Sequence, residues 1–309
     1  MSDGEHALAR TVFGSDRLSA SKIFNVDGWI VLVTGGGTGL GLITAGALAE
    51  NGAKVYITGR RLEPLEEAAK TAAPKGGKGA IIPLQADMSK KEDIDKVKET
   101  IISKEKWLNA LINNHGVVIT PPKIDEAEQT AEGLSKFMYN EEKFDNWLDA
   151  YRINTASYYF TSFAFLPLLA AAKSVGNYSE PGNIINVASI SGMTVTSQGG
   201  QFSYNSNKAA TIALTRMLAT ELARRELGIR VNMICPGVFP SGMTGYTEDA
   251  TQPSKEFKDK TGIPLGRTGN AIDYAQTVFS LLSNQYITGR ELVVDGGYLL
   301  NQGEFCWTN

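Results

Sequence analysis

The chain is poor in the residues that build several common kinds of site. Only two cysteines, Cys235 and Cys306, and two histidines, His6 and His115, occur among 309 residues. The cysteines are far apart and form no C-x-x-C pair, which argues against a disulfide framework and a thiolate metal cage. The histidines lack metal-ligand spacing. Around His115 the sequence Asn-Asn-His-Gly has no nucleophile elbow, so Ser-His-Asp hydrolysis is hard to build. An excess of one charge is missing too: the formal net charge of −3 gives no basic field for nucleic acid or an anionic membrane. No run of about 18 apolar residues is free of a charge or breaker, which argues against a membrane span. Residues 1–28 mix Asp3, Glu5, Arg10, Asp16 and Arg17 and contain no apolar core, unlike a secretory signal or a transit peptide. Cys306 is fourth from the end, but Trp307, Thr308 and Asn309 fit a prenylation signal poorly. The expectation is a cytoplasmic protein with no nucleic-acid or membrane partner.

What is present is a core and a rhythm. A hydrophobic share of 42% suits one large domain. Short Val/Ile-rich runs read as strands at Ile30–Val33, Lys54–Thr58, Ala80–Gln85, Ala110–Asn113, Asn183–Ala188, Arg230–Cys235 and Glu291–Val294. Helical patterns lie between them at Gly41–Glu50, Glu63–Ala73, Lys90–Ser103, Trp147–Lys173, Tyr204–Arg225 and Ala271–Leu282. This alternation predicts an α/β fold, a Rossmann-like, doubly wound, seven-stranded parallel sheet with helices on both faces. Residues 25–309 are read as a single domain and 1–24 as an N-terminal extension. Two further segments break the rhythm: a polar insertion at 117–145, and 240–261 after a strand end, where lids over ligands tend to sit.

Thr34-Gly35-Gly36-Gly37-Thr38-Gly39-Leu40-Gly41 follows the first strand and opens a helix. Backbone without Cβ there lets a pyrophosphate approach the N–H groups of the helix start, where the macrodipole favours anions. The spacing G-x-x-x-G-x-G is weak as a bare motif; the strand before it and the helix and second strand after it make it a nucleotide site. The second strand ends at Gly59-Arg60-Arg61. An NAD site places a carboxylate there for the ribose 2′-hydroxyl, whereas two arginines suit a 2′-phosphate. The predicted cofactor is NADP(H).

Two Y-x-x-x-K matches occur. Tyr139…Lys143 lies in the polar insertion with no strand before it and is read as a decoy. Tyr204…Lys208 follows a strand and a Ser/Gly-rich connection and opens a long helix, with both side chains on one face. A phenol titrates near 10, and an adjacent ammonium is expected to lower it toward a useful range. Ser189 and Ser191 at the preceding strand end are both candidates to hydrogen-bond a developing alkoxide.

With these motifs in place the chain resembles the short-chain dehydrogenase/reductase family, in its single-domain, 3-oxoacyl-carrier-protein reductase-like form, over roughly Phe24 to Leu300. Thr34–Gly41 is similar to its TGxxxGxG loop, Asp87 (followed by Met88) to its adenine-contacting Asp, and Asn113–Gly116 to its NNAG, with His115 in place of Ala. Pro236-Gly237, followed by Val238, is similar to its PG motif, and Gly289–Gly297 to its C-terminal strand signature. The resemblance implies that Tyr204 is the general acid/base and that Lys208 lowers its pKa and binds the nicotinamide ribose. It also implies that Ser189 polarises the carbonyl and Asn154 holds a relay water. Ser189 is favoured over Ser191 because it stands three before Gly192. The resemblance further implies a homodimer or homotetramer packed through 147–173 and 204–225.

The expected reaction interconverts a ketone and a secondary alcohol. Met193, Phe202, Phe239 and Met243, with Ser191, are the expected substrate contacts. An apolar wall with no Arg or Lys between Pro236 and Gln252 favours a hydrophobic substrate. The alternatives are packing roles for these residues and a non-catalytic NADP(H) sensor on the same fold. An epimerase of the two-domain group would need TGxxGxxG and a further domain, and neither is present.

Overall fold

The computed structural model describes residues 18–301. Most of the N-terminal extension and Cys306 lie outside the described residues. The strands are β1 (Ile30–Thr34), β2 (Lys54–Gly59), β3 (Ala80–Gln85), β4 (Ala110–Asn113), β5 (Asn183–Val187), β6 (Arg230–Pro236) and β7 (Glu291–Val294). They form one sheet in the order β3-β2-β1-β4-β5-β6-β7, with every pairing parallel. Parallel neighbours cannot be joined by tight hairpins, so each crossover carries a helix or longer segment over a face of the sheet. The fold is the expected Rossmann-like one.

The strands read as continuous apolar runs because each face of the sheet has its own core. All five residues of β1 are buried. Val31 and Val33 pack with Ala45, Leu48, Tyr274 and Val278 on one side. Ile30 and Leu32 pack with Ile94, Val97, Phe165 and Leu218 on the other. The period-2 alternation of a strand divides the run between the two cores. Helices α1 (Gly39–Glu50), α2 (Leu62–Thr71) and α3 (Lys91–Ile102) follow β1, β2 and β3.

Of the other expected helices, one is corrected and two stand almost as expected. The pattern read as one helix over 147–173 is α5 (Phe144–Tyr151), a π turn (Arg152–Ala156) and α6 (Ser157–Ser174). By length and composition Phe144–Ser174 is apolar enough to cross a membrane, but half of the relevant window is buried inside the fold, with Tyr158, Phe165 and Leu169 fully enclosed. The polar insertion contains α4 (Ala131–Glu141), started by the Thr130 hydroxyl accepting from the Gly133 amide at 2.9 Å. α4 carries Leu134, Phe137 and Met138 at helical spacing but buries no residue, so it is a surface helix without a core-facing side. Helix α7 (Phe202–Arg224) carries Tyr204. The segment 240–261 is not a plain loop. It ends in α8 (Lys255–Thr261), which the Ser254 hydroxyl caps by accepting from the Phe257 amide (3.1 Å) and Gly262 stops at φ 72°. The last long helix is α9 (Ala271–Ser283).

Phe239 is misplaced by the sequence reading. It is 3% exposed, lies edge-on to Tyr274 with ring centroids 5.5 Å apart, and presses on Gly269 so closely that any Cβ there would overlap its ring. It belongs to the core beneath α9 and not to a substrate wall. Phe239→Ala should therefore cost about 3–5 kcal/mol of stability, read by urea denaturation. A loss below about 1 kcal/mol would contradict the core assignment.

Candidate active site

The order of the sheet reverses between β1 and β4, and ligands of open α/β sheets bind beyond the strand ends at such a point. The two ends are bolted together there. The Thr34 hydroxyl accepts from the Asn114 amide (2.9 Å), and the Asn114 side-chain amide donates to the carbonyls of Thr34 and Gly35, both at 3.1 Å. Gly35 sits at φ 68°, and a Cβ on it would lie 2.8 Å from His115 Cα. A Cβ on Gly41 would overlap the Gly35 carbonyl and the Asn114 amide. Asn114, expected as a cofactor contact, thus serves in this structure to hold the glycine turn. Thr38 is the N-cap of α1 and uses no side-chain cap; Gly37, Gly39 and Leu40 complete the turn.

Arg60 and Arg61 are exposed at the end of β2. The Arg60 carbonyl accepts from the Gln85 side chain at 2.9 Å. Burial tends to raise the Asp87 carboxyl, but hydrogen bonds from Ser89 and the charges of Lys90 and Arg60 outweigh it and lower the pKa. The Met88 side chain is 3% exposed and packs in the α3 core, leaving only its backbone for a ligand. Pro236, Gly237 and Val238 end β6, where the Gly237 amide donates to the Val294 carbonyl (2.8 Å).

The proton-transfer residues converge at the same edge. α7 turns Tyr204, Asn207, Lys208, Thr211 and Thr215 to one buried face. These are polar, so each must find a partner as it leaves water. The π turn supplies those of Asn207 and Thr211. The Thr155 hydroxyl donates to the Asn207 carbonyl (2.8 Å) and the Thr211 hydroxyl to the Asn154 carbonyl (2.9 Å). The Asn154 side-chain amide donates to the Val117 carbonyl (2.8 Å) and to Asn207 Oδ1 (3.1 Å), and its oxygen accepts from the Val117 amide (2.8 Å). π turns recur at functional sites because they re-aim side chains within a helix. Asn207 was missed in the sequence. Its signal was an amide on the buried face of α7, three residues beyond Tyr204.

Lys208 Nζ donates to the Val187 carbonyl at 2.9 Å and lies 5.8 Å from the Tyr204 ring centroid. The expected lowering of the phenol is not observed. Burial pushes Tyr204 up to about 12, with the Ser189 hydroxyl opposing that rise. Burial also pulls Lys208 down to about 8. Ser189, not Ser191, acts on the phenol. Ser191 is buried beside it and donates its amide to Ser189 Oγ (3.1 Å). Tyr158 was also missed: its hydroxyl donates to the His115 carbonyl at 2.8 Å beneath this cluster. Tyr139, the decoy, is 86% exposed on α4.

The expected substrate contacts divide. Met193 is half-buried against Ala188, Ile212 and Met233, with a packing role. Phe202 and Met243 are exposed, at 44% and 52%.

His115 is more than a spacer. Its Nδ1 lies 2.8 Å from the Thr34 hydroxyl and its Nε2 2.7 Å from the Ser157 hydroxyl. Ser157 donates to the Ile153 carbonyl (2.7 Å), so it accepts from Nε2–H, while the Thr34 hydroxyl beside Nδ1 also reaches the Ile112 carbonyl at 3.3 Å. Its burial favours the neutral ring. Burial is the main cause that pulls its pKa to about 3, helped by the charge of Lys208. The unfolded chain protonates this group near 6.5 and the folded one near 3. Its contribution to stability is thus complete above pH 6.5 and is lost as pH falls toward 3. Lowering the pH from 7.5 to 4.5 should cost the protein on the order of 2 kcal/mol more than it costs His115→Ala. Equal losses in urea denaturation at the two pH values would refute the buried neutral imidazole.

Comparison with known proteins agrees with this geometry. A family model described as Enoyl-(Acyl carrier protein) reductase matches residues 35–299. The short-chain dehydrogenase/reductase PhomF of Diaporthe leptostromiformis is 36% identical over 285 residues, 91% of this chain and 95% of that protein. A cyclopentanol dehydrogenase of Comamonas sp. is 32% identical over 88% of this chain and 97% of its own length. Among solved structures, the Pseudomonas aeruginosa RhlG/NADP active-site complex superposes with a TM-score of 0.73 at 29% identity, covering 89% of this chain and 98% of that one. A glycine turn bolted to the switch point, a Tyr-Lys helix face and relatives matched over nearly their whole length lead to one conclusion: the chain belongs to the short-chain dehydrogenase/reductase family of oxidoreductases.

Proposed function

We propose that the protein is an NADP(H)-dependent oxidoreductase that interconverts a hydrophobic ketone and its secondary alcohol. The observation that carries this reading is the cluster at one sheet edge. A buried phenol, under the influence of the Ser189 hydroxyl and with the Lys208 ammonium near its ring, stands beside a turn whose glycines leave no room for side chains. The turn and the start of α1 suit the pyrophosphate of a dinucleotide, and the exposed Arg60 and Arg61 suit a 2′-phosphate. The nicotinamide supplies the hydride when bound.

The chain's own residues handle the proton. Burial keeps Tyr204 protonated near neutral pH, so it arrives at the reaction as an acid and delivers its proton to the carbonyl oxygen. The Ser189 hydroxyl donates a hydrogen bond to that same oxygen as charge develops on it. Lys208 holds positive charge near the phenolate that results, and Asn154 with Asn207 fixes the floor of the site. Likeness to a cyclopentanol dehydrogenase and to a structure titled as an NADP complex supports the reaction class and the cofactor.

Two measurements test this. Tyr204→Phe should lower kcat for ketone reduction by roughly 10²–10⁴-fold and leave the Kd for NADPH unchanged, whereas Tyr139→Phe should change neither. Wild-type turnover in Tyr204→Phe would remove Tyr204 as the acid, whereas intact protein that binds NADPH and turns over no ketone would favour a non-catalytic NADP(H) sensor. Separately, the protein should bind NADPH more tightly than NADH. Replacing Arg60 and Arg61 by Ala should weaken NADPH binding alone, by about 1.5–3 kcal/mol for each charge-assisted hydrogen bond lost. Equal affinity of the intact protein for both cofactors would overturn the assignment.

A further inference from the structure

The start of the insertion is fixed at two points on either side of Tyr204. At one end, both backbone groups of Val117 are clasped by the Asn154 side chain at 2.8 Å. The preceding residue lies next to the ammonium: a Cβ on Gly116 would be 3.7 Å from Lys208 Nζ. At the other end, the Pro122 carbonyl lies against Gly200, four residues before Tyr204, so closely that a Cβ there would overlap it. The turn that makes this contact is forced. Gln198, Gly199 and Gly200 all take positive φ, at 51°, 81° and 107°, and the Gln198 side chain reaches Tyr298 Oη at 3.3 Å. Glycine takes such a φ freely, so the strain falls on Gln198, and strained non-glycine residues cluster at functional sites.

Between the two anchors lie Val118, Ile119, Thr120 and Pro121. Val118 and Ile119 are half-buried. Among the described residues, none of these four makes a backbone hydrogen bond. Buried or half-buried backbone groups normally find partners, so this stretch offers a pair of apolar side chains together with N–H and C=O groups free for a ligand.

Resting on the reading of the chain as a ketone reductase, we propose that Val118–Pro121 is a fixed strap that walls the substrate site, and that Val118 and Ile119 set the size of ketone admitted. The test compares kcat/KM for cyclopentanone and 1-tetralone, with NADPH affinity followed by fluorescence. Ile119→Ala should shift the ratio toward the larger ketone by roughly tenfold or more, Ile119→Phe should shift it the other way, and the Kd for NADPH should hold in both. Two glycine variants separate displacement of the strap from strain in the turn. Gly199→Ala imposes a side chain at positive φ in open space, whereas Gly200→Ala presses on Pro122. Only Gly200→Ala should move the ratio. Equal effects of the two glycine variants, or Ile119 variants that scale both ketones alike, would overturn the strap while leaving the reductase reading intact. A protein that neither reduces these ketones nor binds them, as judged by quenching of bound-NADPH fluorescence, would overturn both.

Discussion

The site depends on the join between β1 and β4. Parallel strands on either side of a switch point diverge toward helices on opposite faces, so the crevice between them needs a tie. The Asn114 amide grips the Thr34 and Gly35 carbonyls, and the Thr34 hydroxyl accepts the Asn114 N–H and meets the His115 ring. This small polar knot sets the glycine turn, and with it the direction of α1. It also sets the exit of β4, from which Gly116 and Val117 lead to Lys208 and Asn154. His115 extends the knot to Ser157 at the start of α6, so β1, β4 and the long helix meet through one imidazole.

A second constraint is electrical. The catalytic face of α7 is buried, and the low polarisability of that setting disfavours charge on either member of the Tyr-Lys pair. The phenol moves up and the ammonium moves down, so the two titrations draw apart from neutrality on the phenol's side and approach it on the lysine's. The face tolerates so many polar groups because each finds a partner: the π turn serves Asn207 and Thr211, β5 serves Lys208 and Thr215, and Ser189 serves Tyr204. Asn154 and Asn207 illustrate this, since each holds the other within a single hydrogen-bonded patch.

The parts of the chain that depart most from a bare sheet-and-helix frame gather around this site. The insertion leaves β4 at Val117 and returns through α4 and α5 to the π turn. The segment after β6 brings Ser241 beside Gly39, where a Cβ on Gly39 would meet it at 3.6 Å. Tyr246 packs on Phe257 of α8 with centroids 5.4 Å apart, giving that segment an aromatic contact of its own. The frame can therefore remain constant while these segments shape the opening.

Most of the frame was legible because burial on both faces writes itself into composition. All seven strands lie where Val/Ile runs predict them, and the glycine turn and the Tyr204–Lys208 pair are encoded by spacing within a few residues. The exposure of Tyr139 agrees with its place in a polar insertion with no strand before it. What the sequence could not determine are facts about partners distant in the chain. Phe239 is apolar and follows a strand end, and only packing against Tyr274 shows that it faces the core. α4 was hidden because its short apolar set, Leu134, Phe137 and Met138, lies in a polar stretch and buries nothing, and the π turn because α6 is apolar on most sides, so the phase shift of an extra residue displaces no stripe. The sign of the Tyr204 shift was also out of reach. Sequence places an ammonium one turn from a phenol, but only the tertiary structure decides how far both are from water, and here burial raises the phenol against the Ser189 hydroxyl and lowers the ammonium.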